Sequence, residues 1–345
     1  ATGAAIVGFS LDSSDLNQTA SSERGKILYE KYCSTCHGLD GKGEGTAAIY
    51  LYPKPRDFTR GLFKFQSTPS GSLPTDEDVL RTLQRGMPGT SMPAWDRLAD
   101  QDRRDLVAFI KGFSEKFTTD KPPQPLAVEQ EPPVTSEMIR KGKTIFALAR
   151  CWMCHGKSGA GDGPSSKDLV DDLGRPITPF NFTRARAYKG GDSPQDIYRT
   201  FSTGVGGTPM PAYGEDALAL GRESFGDLSD LKGSFYSAEI QEFKSSLKKW
   251  PTQAALDRMS VDERKKLADD RRWSLAYYVL SLSKSGKSSL SYTTTDHALV
   301  STLVNDVSAF SDPSGNRWSE VKDVELALIS LWQRDTPTDR VSVKV

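Results

Sequence analysis

The sequence predicts a mainly α chain made of two tandem copies of one domain, with a Pro-rich linker between them and a C-terminal segment with β character. Three observations carry this. Apolar residues recur at helical spacing, as in Ile27 and Leu28 or in Ile145, Phe146 and Leu148. A block of short motifs returns at an offset of 118 residues, the distance from Cys33 to Cys151. Between the blocks, residues 118–134 hold Pro122, Pro123, Pro125, Pro132 and Pro133 with few apolar side chains, which is the composition of an extended linker.

Length and charge agree with this organisation. A chain of 345 residues exceeds one ordinary domain, so two or three units with cores of their own are expected. Charged residues make up 26%, with 45 Lys+Arg against 45 Asp+Glu, so no net field favours nucleic acid or an anionic membrane surface. The apolar run from Ala4 to Leu11 is too short for a membrane span, and no later stretch approaches the length required. A start at Ala1 rather than Met suits a processed mature protein whose signal peptide has gone, and so a periplasmic or other extracytoplasmic place, although any truncation would look the same.

Residues 1–21 read as an N-terminal extension and residues 22–117 as the first domain. Its first helix, Glu23 to Tyr32, delivers Cys33-Ser34-Thr35-Cys36-His37, and a glycine-rich loop runs from Gly38 to Gly45. Pro55-Arg56-Asp57-Phe58-Thr59 follows. A middle helix is signalled by Thr75 with Asp78 three residues on, a capping pattern. Then come Met92-Pro93-Ala94-Trp95 and a closing helix that contains Arg103 to Ile110.

The second domain, residues 135–285, repeats the order. The helix Ser136 to Arg150 delivers Cys151-Trp152-Met153-Cys154-His155, and the glycine-rich loop is Gly156 to Gly163. Pro179-Phe180-Asn181-Phe182-Thr183 sits at a slightly larger offset, the mark of a short insertion. Ser193 and Pro194 start the middle helix, with Asp196 at the third position. Met210-Pro211-Ala212-Tyr213 matches the Met motif, while the closing helix, aligned as Arg271 with Arg103, is displaced far along the chain. Residues 214–270 are therefore an insertion, charged and helical in pattern. The tail, residues 286–345, carries two alternating segments, Val324, Leu326 and Leu328, then Val341, Val343 and Val345, which read as strands of a β-domain that is beginning.

All four cysteines lie in Cys-x-x-Cys-His units, and two of the three histidines complete them. Such a unit at a helix end sets two sulfurs along one edge, where they can add to two haem vinyl groups, and turns the following imidazole towards the iron. A redox dithiol needs no His after the second Cys and belongs in a βαβ context. Structural zinc wants four ligands where each unit offers three. The paired motifs predict two covalently bound haem c groups. The third histidine, His297, has no other metal-binding signature around it and reads as solvated.

A first helix ending in Cys-x-x-Cys-His, a glycine-rich loop, a capped middle helix, a Met-Pro-Ala loop and a closing helix together resemble the class I cytochrome c family in tandem. The resemblance covers about Ser22 to Lys284 and makes the fold two tandem cytochrome c domains. It implies iron ligation by His37 with Met92 and by His155 with Met210. Met87 is a rival in the first copy, but its counterpart under the offset is Val205, which cannot bind iron. The resemblance also implies that the Pro55 and Pro179 carbonyls accept the Nδ1 protons of His37 and His155, against a plain role in loop rigidity. Trp95 and Tyr213 are expected either at haem edges or in the core.

With His and Met on both irons, the implied role is one-electron transfer between a partner oxidoreductase and a respiratory acceptor. A dihaem peroxidase is the alternative, and would need a displaceable distal ligand. The segment from Trp318 to Val345 resembles the opening of the haem b-binding β-domain in subunits of ethylbenzene-dehydrogenase-like and nitrite-oxidoreductase-like molybdenum enzymes. That implies redox partners among the catalytic subunits of such a complex.

Overall fold

The computed structural model describes residues 20–283, apart from 122, 129, 185–187 and 215–216. The N-terminal extension, His297 and both expected tail strands lie outside the described residues. Those described are mainly helical, and none of their helices is long and apolar enough to cross a membrane.

The first domain is built on two crossing helices. α1, Ser22–Tyr32, starts under a Ser21 side-chain cap and runs into the single turn α2, Ser34–His37. α3, Asp76–Arg85, opens with the full capping box of Thr75 and Asp78. α4, Asp100–Lys111, crosses α1 so closely that a Cβ on Gly25 would lie 2.0 Å from the Asp105 carbonyl oxygen. Only glycine allows that approach. The Asp105 carboxylate also accepts from the Ser21 amide at 2.8 Å, so the start of α1 is tied to α4. Leu28, Tyr29, Leu83, Leu106 and Ile110 are buried where these helices meet. The turn α5, Lys116–Thr119, straddles the expected start of the linker, and the described residues from there to Thr135 are irregular.

The second domain repeats the crossing. α6, Ser136–Leu148, leads to the turn α7, Trp152–His155, and α8, Pro194–Thr203, has Ser193 as its cap and Pro at its first position. The insertion folds as irregular chain with α9, Ser237–Leu247, and α10, Gln253–Asp257. α11, Val261–Ser281, then closes the domain. A Cβ on Gly142 would lie 2.0 Å from the Ser274 carbonyl oxygen and 2.6 Å from Tyr278 Cβ, as Gly25 meets Asp105 and Phe109. The crossing thus aligns Arg272, not Arg271, with Arg103, one residue from the register expected from sequence. The glycine contacts set that register, and the ion pairs agree with it, Arg103 with Asp100 and Arg272 with Asp269, each three residues earlier. Arg271 instead donates to the Leu218 and Leu220 carbonyls and secures the insertion.

That insertion enlarges the second core. Leu231, Phe235, Ile240 and Phe243 are buried with Ile145 and Phe146 of α6, and Phe235 meets the Trp152 ring edge-on at 5.6 Å. Glu239 on α9 pairs with Lys143 at 3.0 Å and with Lys157 at 2.6 Å. The shorter insertion, six residues by the change of offset between the two copies, is a tight turn around residues 169–177. It reaches the first domain: Asp172 pairs with Arg60 at 2.6 Å, and the Pro176 carbonyl accepts from the Tyr52 hydroxyl. Arg85 pairs with Asp196 at 2.8 Å, and the Gly206 amide donates to the Lys64 carbonyl at 3.0 Å. The linker lies along both domains, with the Leu126 amide on the Ser67 carbonyl at 2.7 Å and the Tyr277 hydroxyl on the Pro132 carbonyl.

Candidate functional site

Each Cys-x-x-Cys-His unit is one helical turn, and each glycine-rich loop folds back over its histidine. The Gly43 amide donates to the His37 carbonyl, and the Gly161 amide to the His155 carbonyl, both at 2.8 Å. Gly43 and Gly161 have φ of 76° and 79°, a left-handed backbone natural to glycine. The Phe58 and Phe182 amides then donate to the Gly41 and Gly159 carbonyls at 2.7 Å. These bonds stack Phe58 on His37 at 4.5 Å and Phe182 on His155 at 4.3 Å. Both phenylalanines stood in the repeat, but the changed offset hid their shared role as walls for the imidazoles.

The Nδ1 acceptors differ from the expected ones. His37 Nδ1 lies 3.1 Å from the Arg56 carbonyl and His155 Nδ1 lies 3.1 Å from the Phe180 carbonyl, not from Pro55 and Pro179. The proline carbonyls are turned to the glycine-rich loops, where a Cβ on Gly43 or Gly161 would meet them at 2.6 and 2.8 Å, so the next carbonyl faces the ring. Burial pulls both imidazoles down, against the carbonyl bonds that favour their protonated form. A neutral ring that donates through Nδ1 keeps its lone pair on Nε2, the form that a metal ligand needs.

The Met loops are also copies. The Thr90 hydroxyl donates to the Met87 carbonyl at 2.8 Å and accepts from the Met92 amide at 3.2 Å; Thr208 does the same for Val205, at 2.7 Å, and Met210, at 3.2 Å. Trp95 and Tyr213 leave the loops with their amides on the Leu83 and Phe201 carbonyls, at 2.8 and 2.7 Å. In the first domain one cleft is lined by Cys33, Cys36, His37, Met92 and Trp95, and by Met87 as well. In the second, Cys151, Met210 and Tyr213 pack on one core, and the Tyr213 hydroxyl donates to the Ala149 carbonyl at 3.2 Å.

Burial pushes the Cys33 thiol up to about 12, helped by Cys36, and pushes the Cys151 thiol to the same range; burial raises Cys154 too. A dithiol nucleophile needs the opposite shift. What the first cleft does fit is a flat apolar group with oxygen acceptors on its rim. Its walls are largely apolar, and the Trp95 indole N–H is buried with no hydrogen-bond partner, a donor suited to such an acceptor.

The cytochrome c family model matches residues 22–114 and 139–230, one match for each domain. Thiosulfate dehydrogenase of Allochromatium vinosum is 29% identical over 113 residues, 31% of this chain and 37% of that enzyme, so the chain spans little more than a third of its length. A chain of the Kuenenia stuttgartiensis reducing HAO-like protein complex is 38% identical, with a TM-score of 0.59, over 76% of this chain and 97% of its own length.

Proposed function

The chain belongs to the cytochrome c family and is a dihaem c-type cytochrome, and from that premise we propose that it passes single electrons between a partner oxidoreductase and a respiratory acceptor in the periplasm or another extracytoplasmic compartment. Cys33 and Cys36, and Cys151 and Cys154, attach the two haems. His37 with Met92 and His155 with Met210 would be the residues that hold the two irons. Bound haem supplies a one-electron ferric/ferrous couple. The chain's own part is to keep each imidazole neutral and oriented, to exclude water with Phe58 and Trp95 in one site and Phe182 and Tyr213 in the other, and to offer a thioether, a ligand that would favour the ferrous state.

The observation that carries this reading is the shared threonine bracing of the two Met loops. A peroxidase-type enzyme needs one site unlike the other, and here the same threonine bonds brace both methionines. The likeness to a chain of a multi-protein complex supports a subunit rather than a free carrier. A molybdenum enzyme as the partner is carried by the tail resemblance alone. Titration of the native full-length protein with cyanide and with peroxide at neutral pH should change neither haem spectrum. A change in one haem would overturn simple electron transfer in favour of catalysis at iron, and co-purification would name the partner.

A further inference from the structure

First-domain residues alone do not complete the first cleft. Lys189, which precedes α8 in the second domain, lines it together with Lys64 and Arg56. All three side chains are partly buried, and nothing acidic in the cleft answers them. Two carboxylates outside the lining, Asp171 and Asp172, act on Arg56 and Lys64 through space, but their bonds go elsewhere. Asp172 pairs with Arg60 at 2.6 Å, and Asp171 accepts from the Leu173 and Arg175 amides, both at 2.9 Å. The Arg56 guanidinium donates to the Gly206 carbonyl at 3.4 Å and forms no ion pair among the described residues. Among the described residues, the Lys64 and Lys189 ammonium groups have neither an ion pair nor a hydrogen-bond acceptor.

Like charges gathered in a half-buried place are costly unless an anion joins them. Burial and the facing charges of Arg56 and Lys189 pull Lys64 down to about 8, against the Asp171 and Asp172 carboxylates. The rest of the wall is apolar and carries Cys33, Cys36, His37 and Met92. A group held there by its ring must present its own polar edge to whatever cations line the rim. Haem has two propionate carboxylates on one edge. The second domain offers no mirror image, because the residue equivalent to Arg56 in holding the histidine is Phe180.

We propose that the second domain completes the first haem site: Lys189 acts across the domain interface, with Lys64 and Arg56, as a cationic clamp on the propionates of the first haem. This rests on haem occupying the first cleft. Cations beside the propionates favour the less positive ferrous centre, so the clamp raises the potential of the first haem and draws electrons towards it.

The test is a spectroelectrochemical titration of the full-length dihaem protein, which shows one wave for each haem. Lys189→Gln should shift one wave by about tenfold in the oxidised-to-reduced ratio, roughly 59 mV downwards for a one-electron couple. The other wave should stay in place, and Lys189→Arg should restore most of the loss. Lys64→Gln should lower the same wave. In a Cys33→Ala/Cys36→Ala variant, which keeps only the second haem, Lys189→Gln should move nothing. The clamp is refuted if both waves stay unmoved, if both move together, or if the remaining wave moves in the cysteine variant. It is also refuted if inorganic phosphate or sulfate abolishes the difference between wild type and Lys189→Gln, because the cluster would then be an open anion site. The ligand reading is judged separately, by the low-spin spectrum and by cyanide.

Discussion

His37 and His155 share one local device, a buried ring with a phenylalanine against its face and a backbone carbonyl on Nδ1. The cysteines and histidines of this device were legible in the sequence because covalent attachment demands those residue types at that spacing. Its carbonyl was not. Every residue carries one, and which of them faces the ring depends on how the chain lies over Gly43 and Gly161. The methionines fall between these cases: Met87 and Met92 both line the first cleft, and the repeat alone chooses Met92. Met92→Ala and Met210→Ala should each convert one haem fully to high-spin and leave the other low-spin, as read by absorbance and electron paramagnetic resonance. Met87→Ala should leave both spectra as in wild type. Loss of the low-spin signal in Met87→Ala instead would exchange the two ligands.

At the scale of elements, the paired helix crossing was foreseeable as two amphipathic segments, but its register was not, because it is set by where glycine lets two backbones touch. Gly142→Ala tests the contact. Alanine gains up to about 1 kcal/mol in helix propensity, whereas overpacking costs about 1–3 kcal/mol. A Cβ only 2.0 Å from the Ser274 carbonyl oxygen meets backbone that cannot swing aside, so overpacking wins. The thermal midpoint of the loaded protein should fall; an unchanged or higher midpoint would mean that the helices do not cross so closely.

The 214–270 insertion was legible as extra length, not as a wall of the second core, since its partners Trp152 and α6 are distant in sequence. Burial pushes the Glu239 carboxyl up, but Lys157, Lys143 and the Tyr236 amide together outweigh it and hold the group at about 2. Its folded value lies below its unfolded value of about 4.3. The docking of α9 therefore gains stability that is fully present above that unfolded value and is lost as pH falls towards 2. Denaturant titrations between pH 5 and 2, a range set by those two values, should show a steeper loss for wild type than for Glu239→Gln. Equal slopes would remove Glu239 from the docking.

At the scale of the whole molecule, the repeat and the proline-rich stretch marked two domains and a boundary, while nothing in either signal said that the domains would be held together. The contacts come from single polar pairs spread over distant segments: Arg60 with Asp172 on the six-residue turn, Arg85 with Asp196 at the cap of α8, and the Gly206 amide on Lys64. Partly exposed ion pairs contribute about 0–1 kcal/mol each. Removing both with Arg60→Ala/Arg85→Ala should thus cost up to about 2 kcal/mol of interface free energy, a rise of up to about 30-fold in the open population. Amide exchange reads that population directly. The Gly206 amide bonds across the interface and should exchange faster in the double variant, by up to about 30-fold. The Phe58 amide, bonded to Gly41 within the first domain, should keep its wild-type rate. Because salt screens such pairs, wild type in about 1 M salt should approach the variant. If the Gly206 amide keeps its rate in the variant, the domains are joined by something other than these charges.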